Sequence, residues 1–351
     1  MRKLLLVLVF MVFSTAIGQT QLEGMVVDHQ TGEPLVGVAV YISGSSLGVV
    51  TELDGTFSLK YPKKFTAPLT IRLLGYQTRE IKDPVNQDLS IVKLEVKPDE
   101  LDAVVLGLDP WSRKKKEAYF KKYFLGTAVV SKDLKIKNLD KVRLRFNPVY
   151  ATLTAVCDEP IIVENRYLGY SIEVDMSDFE AQFTKISNQM RDELAARSSR
   201  QIPQYVYYSS HMVVDLFFKE SEKSRPTQRK RKKNRNKLYR ESEIALMKSI
   251  INESLEEDGY FLILNRKKVV PEKHIRVRPF KENIYQVEFR ELEYQIADMD
   301  GEDSLIVLLD HKILVSHQGN IVSSRVLLTG GYLGSLKLSG MLPLDFVPEK
   351  D

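Results

Sequence analysis

At 351 residues the chain is longer than one hydrophobic core usually organises, and its 43% apolar and 9% aromatic content excludes a disordered protein. The formal net charge of +4 is uneven: Lys219 to Arg240 carries +9, while the body without that segment and without Arg2 and Lys3 carries −7. The single cysteine, Cys157, excludes an intramolecular disulfide, so stability must come from buried surface. Cys157 itself reads as a small core residue.

In chain order, Arg2 and Lys3 precede ten apolar residues, Leu4 to Phe13, and then the small residues Ala16-Ile17-Gly18. That is the pattern of a secretory signal peptide over residues 1–18, with cleavage near Gln19. Ten residues make a helix of only ~15 Å, about half the hydrocarbon thickness, so a permanent anchor is the weaker reading. No later run reaches 18 apolar residues, and the product is expected to be soluble and exported.

From Leu22 the apolar residues recur with period two. Val38, Val40 and Ile42 alternate with Ala39 and Tyr41, and Phe57 and Leu59 with Ser58 and Lys60, as strands with one buried face require. Thr31-Gly32-Glu33-Pro34 and Asp54-Gly55 supply turns, the latter of a type preferred in two-residue hairpin loops. Six or seven short strands make residues 19–97 a small β-sandwich. Gly24-x-Val26-x-Asp28, Thr31-Gly32-Glu33-Pro34-Leu35-x-Gly37-Val38, Gly44, Gly48, Asp54-Gly55-x-Phe57 and Leu74-Gly75-Tyr76 resemble the carboxypeptidase-regulatory-like domain, a transthyretin-type sandwich of exported Bacteroidetes proteins. Ser45-Ser46 departs from the Thr usual after Gly44. The same module precedes SusC-like TonB-dependent receptors, and Leu101-Asp102-Ala103-Val104-Val105 resembles the strand that follows it there. The resemblance implies a fold and a cell-envelope address, and no catalytic residues.

A linker over 98–112 leads to a β-rich α+β domain over 113–351. Arg113 to Phe124 reads as a helix with the stripe Tyr119, Phe120, Tyr123 and Phe124. Strands resume from Lys141: Val142, Leu144 and Phe146, then Leu153, Ala155 and Cys157, then Ile161 and Val163, then Tyr170, Ile172 and Val174. This region, with Leu342-Pro343-Leu344-Asp345-Phe346, resembles the remainder of Bacteroidetes proteins that carry the same first domain. Phe179, Phe183, Ile186, Met190 and Leu194 have helical spacing, although the resemblance favours strand there. Glu243 to Asp258 reads as a helix capped by Gly259, and Ile306 to Leu309, Lys312 to Ser316 and Val322 to Leu328 as strands. Two or three helices are expected in all.

Candidate chemistry is sparse. None of His29, His211, His274, His311 and His317 has Glu three residues later, so the zinc set of a carboxypeptidase is not expected, and neither is another metal or cofactor. Gly44-Ser45-Ser46-Leu47-Gly48 matches the Gly-x-Ser-x-Gly elbow of α/β-hydrolases, but strands on both sides make it a β-turn. Glu256-Glu257-Asp258 reads as a solvated helix end. Tyr205, Tyr207 and Tyr208 read as cross-strand packing, with a sugar-stacking platform as the alternative. The basic segment 219–240 reads as a mobile, solvated loop, or as an anion-binding loop through Arg229, Lys230, Arg231, Lys232, Lys233 and Arg235 that meets lipid or lipopolysaccharide phosphate. No aromatic residue interleaves the charges from Arg229 to Lys237, so nucleic acid is not an expected partner. The expected function is a non-enzymatic interaction protein of the periplasm or the periplasmic face of the outer membrane, with an envelope protein as partner. The alternative is a carbohydrate-binding accessory module of a glycan uptake system.

Overall fold

A computed structural model describes residues 19–98, 109–198, 202–221, 227–299, 301–323 and 327–349. Residues 1–18, expected as a signal peptide, and Leu101 to Val105 lie outside the described residues. The fold is mainly β, as its alternating patterns required.

Seven strands form the first unit: β1 (Gln19–Asp28), β2 (Ala39–Ile42), β3 (Gly48–Val50), β4 (Thr56–Pro62), β5 (Leu69–Arg72), β6 (Arg79–Ile81) and β7 (Val92–Leu94). They make two facing sheets, β4-β1-β7 and β3-β2-β5-β6, with Val26, Val38, Val40, Ile42, Leu69 and Ile71 fully buried between them. The turn after β1 is built on Asp28, whose carboxylate accepts from the Thr31 and Gln30 amides at 2.9 and 2.7 Å and from the Tyr76 hydroxyl at 2.9 Å. Those bonds favour the anion and hold its pKa below the usual value. Asp54-Gly55 does not close a hairpin: β3 and β4 lie in different sheets, so the turn carries the chain from one layer to the other. Gly55 (φ 78°) is required there, since a Cβ would lie 2.7 Å from the Val26 carbonyl oxygen.

The second unit is a six-stranded antiparallel sheet of β8 (Leu134–Ile136), β9 (Arg143–Asn147), β10 (Thr152–Val156), β11 (Ile161–Asn165), β12 (Tyr170–Lys185) and β13 (Tyr205–Glu220), with β13 paired to β12 along its whole length. Helix α1 (Arg113–Leu125), capped by Ser112, lays Phe120, Tyr123 and Phe124 on this sheet. The assumed linker ends inside the core: the Trp111 ring stacks on Phe146 at 3.7 Å. The helix expected over Phe179 to Ala195 is strand as far as Lys185, and helix α2 (Asn188–Ser198) follows. A spacing of four satisfies period two as well as 3.6, and Phe179, Ala181 and Phe183 are the buried face of β12.

The third unit has its own core. Helix α4 (Glu243–Ile251) packs Leu246, Met247 and Ile250 against two sheets built by β14 (Phe261–Leu264), β15 (Lys267–Lys268), β16 (Ile275–Lys281), β17 (Ile284–Phe289), β18 (Glu293–Ala297), β19 (Asp303–Leu308), β20 (Lys312–Ser316) and β21 (Leu327–Gly330), in the orders β15-β14-β18-β19-β21 and β16-β17-β20. The residues read as one C-terminal domain therefore enclose two cores. Helix α4 stops at Ile251, well before Asp258, because Glu253 takes a left-handed conformation (φ 56°) and Gly259 serves the next turn. Of the strand expected over Val322 to Leu328, Val322 and Ser323 are not strand, residues 324–326 lie outside the described residues, and β21 spans Leu327–Gly330. Short helix α5 (Gly331–Leu336) and the residues after it return to the second unit, where Leu336, Leu338 and Leu342 are buried.

The basic segment is a second departure. Gln228–Arg240 is a helix, α3, capped by the Thr227 side chain and seated by buried Leu238. Lys and Arg are good helix formers, and tertiary pairing of Arg231, Lys232 and Arg235 with Glu220 and Glu349 offsets the like-charge repulsion that a solvated loop would avoid. Five helices stand among the described residues, against the two or three expected.

Candidate functional site

The first unit meets the second along the outer edge of β13. Gly44 N–H donates to the Leu216 carbonyl at 2.7 Å, Phe218 N–H donates to the Ser45 carbonyl at 3.0 Å, and Ser45 and Phe217 form a parallel bridge. Tyr41, on the face of β2 that points away from the sandwich interior, is fully buried here: its ring stacks on Phe217 at 4.7 Å and its hydroxyl donates to Asp215 Oδ2 at 2.9 Å. Thr70 donates to the same oxygen at 2.7 Å, and Arg72 pairs with Glu173 at 2.5 Å. Burial and the neighbouring Asp215 carboxylate raise the Tyr41 pKa. From the other end of the chain, Asp345 accepts the Ser46 amide and hydroxyl at 2.7 and 2.5 Å, and Leu344 N–H donates to Gly44 O at 2.9 Å.

Beside this contact lies a cleft of about 1050 Å³ between the second and third units, walled by α1, β13, β21 and the 333–344 segment. A β-bulge at Gln182/Phe183 gives β13 one extra residue, so the core-facing positions Met212 and Ser210 switch to Tyr207 and Tyr205. Tyr207 stacks on Tyr123 at 3.8 Å, whereas Tyr208 is thrown outward and is 74% exposed. At the cleft's inner end Glu243, the first residue of α4, faces Lys337. Burial raises the Glu243 pKa, with Lys337 opposing, and burial lowers the Lys337 pKa, with Glu243 opposing. No hydrogen bond reaches the Glu243 carboxylate among the described residues, while Lys337 Nζ donates to the Ser210 carbonyl at 3.3 Å. Lys337 has φ 46° and ψ −136°, a conformation that costs of order 1–3 kcal/mol for a residue with a Cβ. Buried Leu336 and Leu338 on either side hold it there and aim the ammonium into the cleft.

Residues 22–106 match the family described as CarboxypepD_reg-like domain. The first sandwich is a carboxypeptidase-regulatory-like domain. The chain is also similar to TonB-dependent receptor P3 of Formosa agariphila, 30% identical over 88 residues that cover 25% of this chain and 9% of the receptor. It is similar to TonB-dependent receptor SusC of Bacteroides thetaiotaomicron as well, 32% identical over 109 residues, or 30% of this chain and 10% of the receptor. The match thus spans about a tenth of the length of those relatives. Among solved structures, a putative membrane-associated protein of unknown function from Bacteroides fragilis aligns over 84% of this chain and 92% of its own at 9% identity and a TM-score of 0.18. A 9R-lipoxygenase from Cyanothece aligns over 66% and 45% at 11% identity and the same score, from which no shared fold follows.

The regulatory-like domain's Gly-x-Ser-x-Gly stretch is its docking turn. Ser45 is buried and its hydroxyl donates to Ile42 O at 2.8 Å, while Ser46 is held by Asp345, so neither faces a histidine base. The histidines stay apart: His211 pairs with Asp178 at 2.8 Å, His274 lies 3.2 Å from the Tyr294 hydroxyl, and His311 lies 2.9 Å from Phe289 O. Among the described residues no group of three His, Cys, Asp or Glu side chains could hold a metal ion. Burial raises the pKa of half-buried Cys157, which keeps it a thiol. Glu256 pairs with Lys268 at 3.2 Å at the surface beyond α4.

Of the six proposed anion-binding residues, three are occupied. Arg235 donates to Leu168 O at 2.9 Å and to both Glu220 oxygens, and its guanidinium sits 3.8 Å over the Tyr170 ring. Arg231 donates to Ser221 O at 3.1 Å, and Lys232 pairs with Glu349. Arg229, Lys230 and Lys233 remain on the exposed face of α3. Of the three tyrosines, Tyr205 and Tyr207 belong to the core, so Tyr208 alone offers an open ring. Sequence reasoning missed Glu243 and Lys337, which lie 94 positions apart and carry no motif. No helix among the described residues is long and apolar enough to cross a membrane.

Proposed function

We propose that this chain is an exported, non-catalytic interaction protein of the cell envelope that works beside a TonB-dependent system, and that the cleft between its second and third units receives a protein partner. The reading is carried by the seating of the regulatory-like domain on the edge strand that also walls the cleft, which makes that domain a rigid support for the cleft. The similarity to two TonB-dependent receptors supports the address. A costly conformation at Lys337 and an unpaired, partly buried Glu243 are features that proteins keep for binding rather than stability.

The test is a photo-crosslinking side chain at Tyr208 in cells of the native organism. One or a few envelope proteins are expected in the crosslinked product, and none would overturn the reading. A second reading, glycan binding, is favoured by the open Tyr208 ring beside the Glu243 and Lys337 groups. Retention on a glycan array that is lost on Tyr208→Ala would establish it in place of the first.

A further inference from the structure

Strand β13 is sixteen residues long and, among the described residues, pairs with a strand, β12, on one side only. Its other edge is closed at Leu216 and Phe218 by Gly44 and Ser45 of the regulatory-like domain. Strand geometry turns the N–H and C=O of alternate residues to the same side, so those of Val214 and Met212 face the edge that Leu216 and Phe218 present. The Ser210 carbonyl follows the same alternation, and Lys337 takes it. The opposite wall of the cleft contains β21, which is also the last strand of its sheet.

We infer that the cleft binds an extended peptide segment of a partner polypeptide by strand addition to the free edge of β13, between β13 and β21. This rests on the protein-partner reading above and names the chemistry of that partner. The same edge already takes two main-chain bonds and a parallel bridge from the docking turn of the regulatory-like domain, so the bound segment continues an interface present in the fold. A row of unpaired backbone groups at strand spacing fits a peptide, whereas a sugar reads side-chain polar groups and ring faces. Lysine at a free edge is one device by which proteins discourage unspecific pairing, and here Lys337 occupies a single carbonyl of the row. Lys337 and Lys122, both at the cleft, complement acidic residues at one end of the segment.

The probe is a fluorescein-labelled octapeptide of alternating Thr and Val followed by two Asp, titrated against the full chain. Saturable binding is expected, together with at least tenfold slower hydrogen exchange at the Met212 and Val214 amides. Met212→Pro deletes an N–H that points away from the β12 ladder, so the sheet should survive by circular dichroism while affinity falls at least tenfold. Should that variant fail to fold, the exchange measurement on the unaltered chain decides alone. No binding, or binding without protection of those two amides, overturns strand addition. A crosslinked envelope partner that Met212→Pro retains also overturns it while leaving the interaction reading intact. Absence of any crosslinked partner removes the interaction reading itself, whatever the octapeptide does.

Discussion

At Leu216 and Phe218 the outer edge of β13 is closed by the regulatory-like domain, whereas from Tyr205 to Met212 the same strand lines an open cleft. The closed end is packed and bonded: a stacked ring pair, a carboxylate oxygen shared by Tyr41 and Thr70, and two main-chain bonds. The open end keeps an exposed tyrosine, a carboxyl with a raised pKa and a lysine in a strained conformation. One strand thus separates packing that serves stability from groups held at a cost to it.

Five changes would break or sharpen that contrast. Tyr41→Ala removes a fully buried ring from the closed end and should cost ~3–5 kcal/mol in urea unfolding. Tyr41→Phe, which removes only the hydroxyl from Asp215, should cost about 1 kcal/mol. Equal losses would mean that the rings contribute nothing. Gly48→Ala places a Cβ 2.6 Å from the Phe217 ring, and a loss of ~1–3 kcal/mol is expected from the displaced ring pair. An unchanged denaturation midpoint would show that the closed end has slack.

At the open end the sign reverses. A carboxyl whose folded-state pKa lies above its unfolded one favours folding at low pH, and that contribution is lost as pH rises through the folded value. Burial puts Glu243 in this class. Glu243→Gln should therefore raise Tm at neutral pH by about 2 °C. The gain should vanish as pH falls below the ordinary glutamate value, and a gain independent of pH would assign Glu243 no buried charge. The smallest effect is on α3. Replacing Arg229, Lys230 and Lys233 together by Gln should change stability by less than ~0.5 kcal/mol. It should also weaken binding to anionic vesicles at low salt, and unchanged binding leaves only a solvated helix face.

The alternation of Val38, Val40 and Ile42 made the sandwich legible, because one face of each strand needs nothing beyond its own sheet partner. Tyr41 was not legible as a contact, since its burial depends on a ring 176 positions away in Phe217. An aromatic on the outward face was the signal, and Phe217 carried the matching one. Helix α3 escaped because its supports, Glu220, Leu168 and Tyr170, come from two other strands and a turn. The approach of Glu243 to Lys337 depends on how the third unit folds back on the second, which no local pattern encodes.

The bonds from Asp345 to Ser46 join groups 299 positions apart. The regulatory-like domain is complete in its own core by Leu94, so it is free to fold early, from contacts close in sequence. Its final seat needs the segment around Leu344 and Asp345, and the seam therefore closes last. During synthesis the part of the seam at Ser46 stays open until that moment. The cleft then becomes a feature of a finished chain, and a fragment that lacks this segment would present a different surface at the same strand.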